Sequence, residues 1–168
     1  MNKLLGFAAL LSCFVASNAF AQAAINFDGL NFPCISYNIA SAQAAGRPVT
    51  LTRTTNAATI AANRAASCGG TAADVAALNV AGGPGTPASC DEYPFASSLQ
   101  GGAGAQALIV PAFENNAQGG ALAQFYLANG IVNGTAYNVT TSNVPAIGGG
   151  PGQLTIVVLP SGNRQCYY

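Results

Sequence analysis

The sequence predicts an α+β fold: one small, disulfide-bonded domain whose centre is a strand–strand–helix unit over residues 90–128. Three observations carry this reading. Short β-branched runs such as Pro48 to Arg53 (PVTLTR) and Leu154 to Leu159 (LTIVVL) are interspersed with alanine-rich stretches of helical spacing. The chain has 168 residues, a length that fits one domain once a leader is set aside. The cysteines outside that leader number four, an even set that can staple a core short of large aliphatic residues.

The first 21 residues read as a signal peptide. Lys3 gives a positive start, Leu4 to Val15 an apolar run, and Ala19-Phe20-Ala21 a small-residue cleavage site before Gln22. A membrane span needs roughly 20 apolar residues, so this run is too short, and no second one follows. The expectation is a secreted, extracellular protein with no stable membrane association, its domain covering residues 22–168.

The elements follow in order. Residues 22–47, with Pro33 and Cys34, read as an extended arm pinned by a disulfide. Pro48 to Arg53 is a short strand. Asn56 to Ala66 is an alanine-rich helix with Asn56 as its cap. Thr71-Ala-Ala-Asp74 resembles a capping box and opens a second helix to about Leu78. Residues 81–89 form a Gly/Pro loop that delivers the chain to Cys90. After a turn at Gly101 to Gly104, Ala107 to Val110 make a buried strand ended by Pro111. Residues 116–128 place Ala121, Leu122, Phe125 and Tyr126 at helical spacing, and Gly130 fits the stop. Thr135 to Thr140 and Leu154 to Leu159 are strands, with a flexible turn at 148–152 between them.

Cys34, Cys68, Cys90 and Cys166 imply two disulfides with three possible pairings, of which Cys68–Cys90 with Cys34–Cys166 is preferred. A metal site built on them is disfavoured, because there is no C-x-x-C pair and no histidine. Beyond the leader, four arginines stand against five carboxylates, a formal charge of about −1, with no lysine and no basic run. Strong electrostatic attraction to nucleic acid is therefore not advertised. Asn133-Gly134-Thr135 and Asn138-Val139-Thr140 match the glycosylation pattern.

Carboxylates are so few that their positions matter. Asp91 and Glu92 are adjacent, between Cys90 and Tyr93-Pro94-Phe95. On an extended segment neighbours face opposite sides, so one of the two is expected in a given cleft. The pair alone also fits a plain surface turn. The second cluster is Glu114-Asn115-Asn116-Ala117-Gln118-Gly119-Gly120, where the strand passes into the helix. A carboxylate with amide oxygens suits a hard divalent cation, and Asn115 and Gln118 share a helical face. It equally suits an ordinary helix start, where the dipole favours Glu. Arg64 is placed to steady a phosphate or to pair with an acid. The absence of histidine removes Ser–His–Asp, Cys–His and zinc-finger chemistry. Paired-carboxylate glycoside hydrolysis remains open on composition.

Taken together, Cys90-Asp91-Glu92-Tyr93-Pro94-Phe95-Ala96-Ser97 and Val110-Pro111-Ala112-Phe113-Glu114-Asn115, followed by Gln118-Gly119, Leu122 and Phe125-Tyr126, resemble the NucA/NucB-type secreted deoxyribonuclease family. Asn63-Arg64 upstream of Cys68 also fits it. The likeness spans about residues 47–128, and the strand at 154–159 is compatible. It implies a ββα-metal-like core and a metal-dependent endonuclease that hydrolyses DNA with little sequence preference. In that family picture Asp91 is a general base or metal-adjacent carboxylate, with Glu92 the weaker of the pair. Glu114, Asn115 and Gln118 would hold one divalent ion, Mg²⁺ or Mn²⁺, and Arg64 would steady a phosphate oxygen. DNA is the substrate, and no protein partner or oligomer is expected. The alternative is a non-catalytic secreted binding or host-interaction protein on the same scaffold.

Overall fold

The computed structural model describes residues 22–168. The expected leader and Cys13 lie outside the described residues. Seven strands and four α-helices run in the order β1 (Ala24–Asp28), α1 (Pro33–Ala44), β2 (Thr50–Thr52), α2 (Ala57–Cys68), α3 (Ala72–Ala81), β3 (Ala88–Tyr93), β4 (Gln106–Pro111), α4 (Ala112–Ala128), β5 (Ala136–Ser142), β6 (Thr155–Val158) and β7 (Arg164–Tyr167). They form the expected small α+β domain with two sheets, β1-β5-β2 and β3-β4-β7-β6. In the first sheet β1 runs parallel to β5 and β2 antiparallel to it. In the second, β3 and β4 are an antiparallel pair and α4 follows β4 without a loop, which is the strand–strand–helix unit read from the sequence. Among the described residues no helix is long and apolar enough to cross a membrane.

Residues 22–47 are not an extended arm. They supply β1 and α1, and α1 is the central helix of the molecule. It touches β1 and β5 of one sheet and β3 and β4 of the other. Pro33 begins it, where its fixed φ and missing N–H are harmless. Cys34, Ile35, Ser36, Asn38, Ile39 and Ala42 are buried. A helix enclosed on several sides has no single apolar stripe, which is why the 3.6-residue pattern is weak there.

The remaining elements depart less. Asn56 caps α2 as expected, accepting from the Thr59 N–H at 3.0 Å. The box at Thr71 does not form: its hydroxyl donates to the Cys68 carbonyl instead, and Asp74 accepts from Ser161 and Asn163 near the other end of the chain. Helix α4 starts at Ala112, so Glu114 and Asn115 lie inside its first turn.

The core joins both sheets through α1: Phe27, Ile35, Ile39, Leu51, Tyr93, Leu108, Val110, Tyr137 and Val139 are buried together. Two disulfides close it, Cys34–Cys166 and Cys68–Cys90. The first joins the start of α1 to β7 across 132 residues and is fully buried. Loops of that size lose much entropy on closure, and removing a native disulfide from a small domain costs about 2–5 kcal/mol. The double variant C34S/C166S is expected to lose stability of that size in urea titration. A midpoint equal to that of the wild type would show that the packing around α1 suffices alone.

Candidate active site

Strand β3 is an edge of its sheet, and the cleft wraps around that edge. The cleft measures about 720 Å³, and Arg53, Arg64, Asp91, Glu92, Asn115 and Gln118 line it over a floor that includes Phe95 and Leu122. Alternation along β3 sends Asp91 towards α1 and Glu92 towards α2, where each finds partners. Both carboxylates nevertheless reach the cleft. The expectation that only one would do so fails because an edge strand can be approached on both faces.

Asp91 is almost fully buried. Its Oδ2 accepts a 2.7 Å hydrogen bond from Asn38 Nδ2. Asn38 is itself locked: Gln106 Nε2 donates to its Oδ1 at 2.9 Å and to its backbone carbonyl at 3.1 Å. Burial pushes the Asp91 carboxyl from 3.8 up to about 6, against the pull of Asn38 and the nearby Gln118. An acid so placed takes up a proton near neutral pH and is held in one orientation while it does.

Glu92 is shifted further, to about 7, first by burial and then by the Asp91 charge, with Arg64 pulling the other way. Arg64 Nε stands 3.7 Å from Glu92 Oε1, and the arginine side chain is mostly exposed. The Ala96 N–H donates to the same oxygen. Cys68 Sγ lies 3.2 Å from Glu92 Oε2. That sulfur is bonded to Cys90 and has no proton, so the approach is a packing contact. For the same reason Cys68, Cys90 and Glu92, although their ligand atoms cluster within 4.8 Å, are no thiolate metal site as they stand.

Helix α4 contributes the second cluster. Its buried residues Glu114, Gln118, Leu122 and Tyr126 fall at steps of four, one stripe against the core. Two of the four are polar, and both leave an atom without a partner: Glu114 Oε2 and Gln118 Nε2. Gln118 opens on the cleft. It favours the charged form of Asp91, yet its Nε2 closes no well-formed hydrogen bond. Asn115 is tied to β3, its Nδ2 donating to Ser89 Oγ at 2.8 Å and to the Cys90 carbonyl at 2.9 Å. That orientation leaves its Oδ1 unused by the strand. Glu114 is not part of the cleft lining. Its Oε1 accepts from the Ile35 N–H at 2.8 Å, at the start of α1, a helix end with no cap from its own chain segment. Burial carries Glu114 to about 7, and the Asp91 charge adds to the rise.

The structure thus brings together Arg64, Asp91, Glu92, Asn115 and Gln118, with Glu114 behind them. The sequence reading missed Asn38, Gln106 and Arg53, whose roles exist only across the folded molecule.

This donor set fits a hard divalent cation. Carboxylates and amide oxygens are the ligands such ions prefer. Three carboxyls are raised by burial, one carboxylate oxygen is orphaned, and among the described residues only Arg64 makes an ion pair with the cluster, which leaves it room for a bound cation.

No curated protein matches the chain. A protein-family model described as deoxyribonuclease NucA/NucB matches residues 35–140, from the start of α1 to β5, a stretch that contains every residue of the cleft described above. With most of the fold and the whole cleft inside that match, the chain belongs to the deoxyribonuclease NucA/NucB family.

Proposed function

We propose that the protein is a secreted, metal-dependent endonuclease that hydrolyses DNA phosphodiester bonds with little sequence preference. The observation that supports it most is Asp91: a buried carboxylate near the proton affinity a general base needs, fixed by Asn38, in a cleft that also holds amide oxygens and an arginine. The oxidised cysteines and the sequence-expected leader support export. We take the working unit as a monomer.

In this reading Asp91 accepts the proton of the attacking water at Oδ1, while Asn38 holds Oδ2. Asn115 and Gln118 offer oxygen ligands from α4, and Glu114 adds negative charge from behind. A divalent cation bound there, Mg²⁺ or Mn²⁺, would stabilise charge on the scissile phosphate. Glu92 holds Arg64 at the mouth, where the guanidinium meets a phosphate oxygen. The low charge of the chain restricts affinity for DNA, which suits turnover on an abundant polymer more than stable binding.

Purified protein incubated with supercoiled plasmid should nick it in Mg²⁺ or Mn²⁺ and stop in EDTA. Intact plasmid under every divalent cation tried would favour the alternative, a secreted binding protein on the same scaffold.

A further inference from the structure

We propose that Arg53 is a second phosphate-binding point of the cleft, taking a DNA backbone phosphate away from the reacting bond. The proposal rests on the nuclease reading above and extends it to a residue outside the acid cluster.

Arg53 follows β2 directly, and its backbone is fixed on both sides. Its N–H donates to the Thr135 carbonyl at 2.9 Å, and its own carbonyl accepts from Gly134 at 2.8 Å. The guanidinium carbon stands 4.2 Å from the centre of the Tyr126 ring, a cation–π contact. Nη1 donates to the Ile131 carbonyl. Tyr126 is itself held in place, its hydroxyl meeting Tyr137 at 2.8 Å and Ser97 at 3.2 Å. A guanidinium carries five N–H donors, and these contacts use one donor and one face.

No carboxylate balances this cation. Among the described residues the ion pair is Arg64 with Glu92, and Arg53 has none. A rigid, half-buried cation with spare donors, facing the same cleft as Asp91, is an anion site in waiting. A guanidinium matches a phosphate in geometry and charge. In a protein so poor in basic residues, one such contact is a large share of the attraction for a polyanion.

The test is DNA binding measured by fluorescence anisotropy of a labelled duplex in EDTA, across a salt series. Loss of one phosphate contact lowers the slope of log affinity against log salt by about one. R53Q is expected to show that change together with several-fold weaker binding at low salt. R47Q, which makes the same change in net charge outside the cleft, should keep the wild-type slope. A folded R53Q with the wild-type slope overturns the proposal. If R53Q does not fold by circular dichroism, phenylglyoxal labelling of the wild type decides: DNA should protect Arg53, and equal labelling with and without DNA overturns the proposal. Plasmid cleavage separates the two readings. A wild type that cuts plasmid while R53Q keeps its slope removes this proposal alone. A wild type that binds through Arg53 and cuts nothing removes the nuclease alone.

Discussion

D91N is expected to lower the rate of plasmid nicking by about 10²- to 10⁴-fold, the usual contribution of a positioned general base. The substitution is nearly isosteric, and the new amide oxygen can still accept from Asn38 Nδ2, the bond that now holds Oδ2. It also removes a charge that burial disfavours, so the melting temperature should not fall. Loss of activity with retained stability is the signature that separates a catalytic carboxylate from a structural one. The wild-type rate should rise with pH as the Asp91 proton is lost near pH 6. Single-turnover rates for both proteins across pH 5–8 would check this, and a D91N rate within a few-fold of the wild type at every pH would remove Asp91 from the mechanism.

The second large effect is on stability. In EDTA the protein should be more stable near pH 4.5 than near pH 8, the reverse of a protein held by surface ion pairs. Three carboxyls have raised affinities in the folded state: Asp91 at about 6 from 3.8, and Glu92 and Glu114 at about 7 from 4.5. In each case burial is the main cause. Below about pH 3 these groups are protonated in both states, and their burial then carries no penalty. As pH rises, the unfolded chain loses these protons first and holds fewer than the native state, so unfolding becomes easier until about pH 7. Asp91 alone accounts for on the order of 3 kcal/mol. Asp28, held low by the Leu30 N–H and Asn143, and Asp74, held low by Ser161 and Asn163, act in the opposite sense, but only as pH falls below their ordinary range. A divalent cation that binds the ionised cluster should restore part of the loss at pH 8, about 2.7 kcal/mol at a hundredfold excess over its dissociation constant. Urea titrations at the two pH values, with EDTA and with Mn²⁺, measure both arms. A stability that climbs from pH 4.5 to 8 in EDTA would mean that the cluster is already balanced by protein charges.

Some of this was legible in the sequence because the relevant residues are scarce. With so few carboxylates, Asp91, Glu92 and Glu114 stand out before any fold is known, and the spacing of Leu122, Phe125 and Tyr126 marks α4. The misses have physical causes. Helix α1 is enclosed by both sheets and so lacks a one-sided pattern. Strand β7, Arg-Gln-Cys-Tyr, has little strand character of its own and is made a strand by β4 and β6 on either side. Helix α4 starts four residues before its apolar spacing becomes visible, directly after Pro111. Asn38 and Gln106 are ordinary polar residues locally. They acquire a role only when the chain carries Asn38 across 53 positions to Asp91 and 68 to Gln106. No window on the sequence spans that distance.

The Cys68–Cys90 crosslink does more than close a loop. Neither α2 nor α3 buries a single residue fully, yet α2 carries Arg64. Besides the crosslink, α2 is fastened by Asn63, whose Nδ2 donates to the carbonyls of Ala96 and Ser98. The two helices therefore form the unit with least burial to resist sub-global opening, and the sulfur bridge is its latch. With the latch reduced, α2 is left with Asn63 and α3 with Asp74 and Asn79 as polar ties, so opening that draws Arg64 from Glu92 becomes easier while the sheets and α1 persist. A chain in a reducing compartment would then hold its buried acids without a settled arginine wall, and pairing of the sulfurs in an oxidising one would complete the cleft.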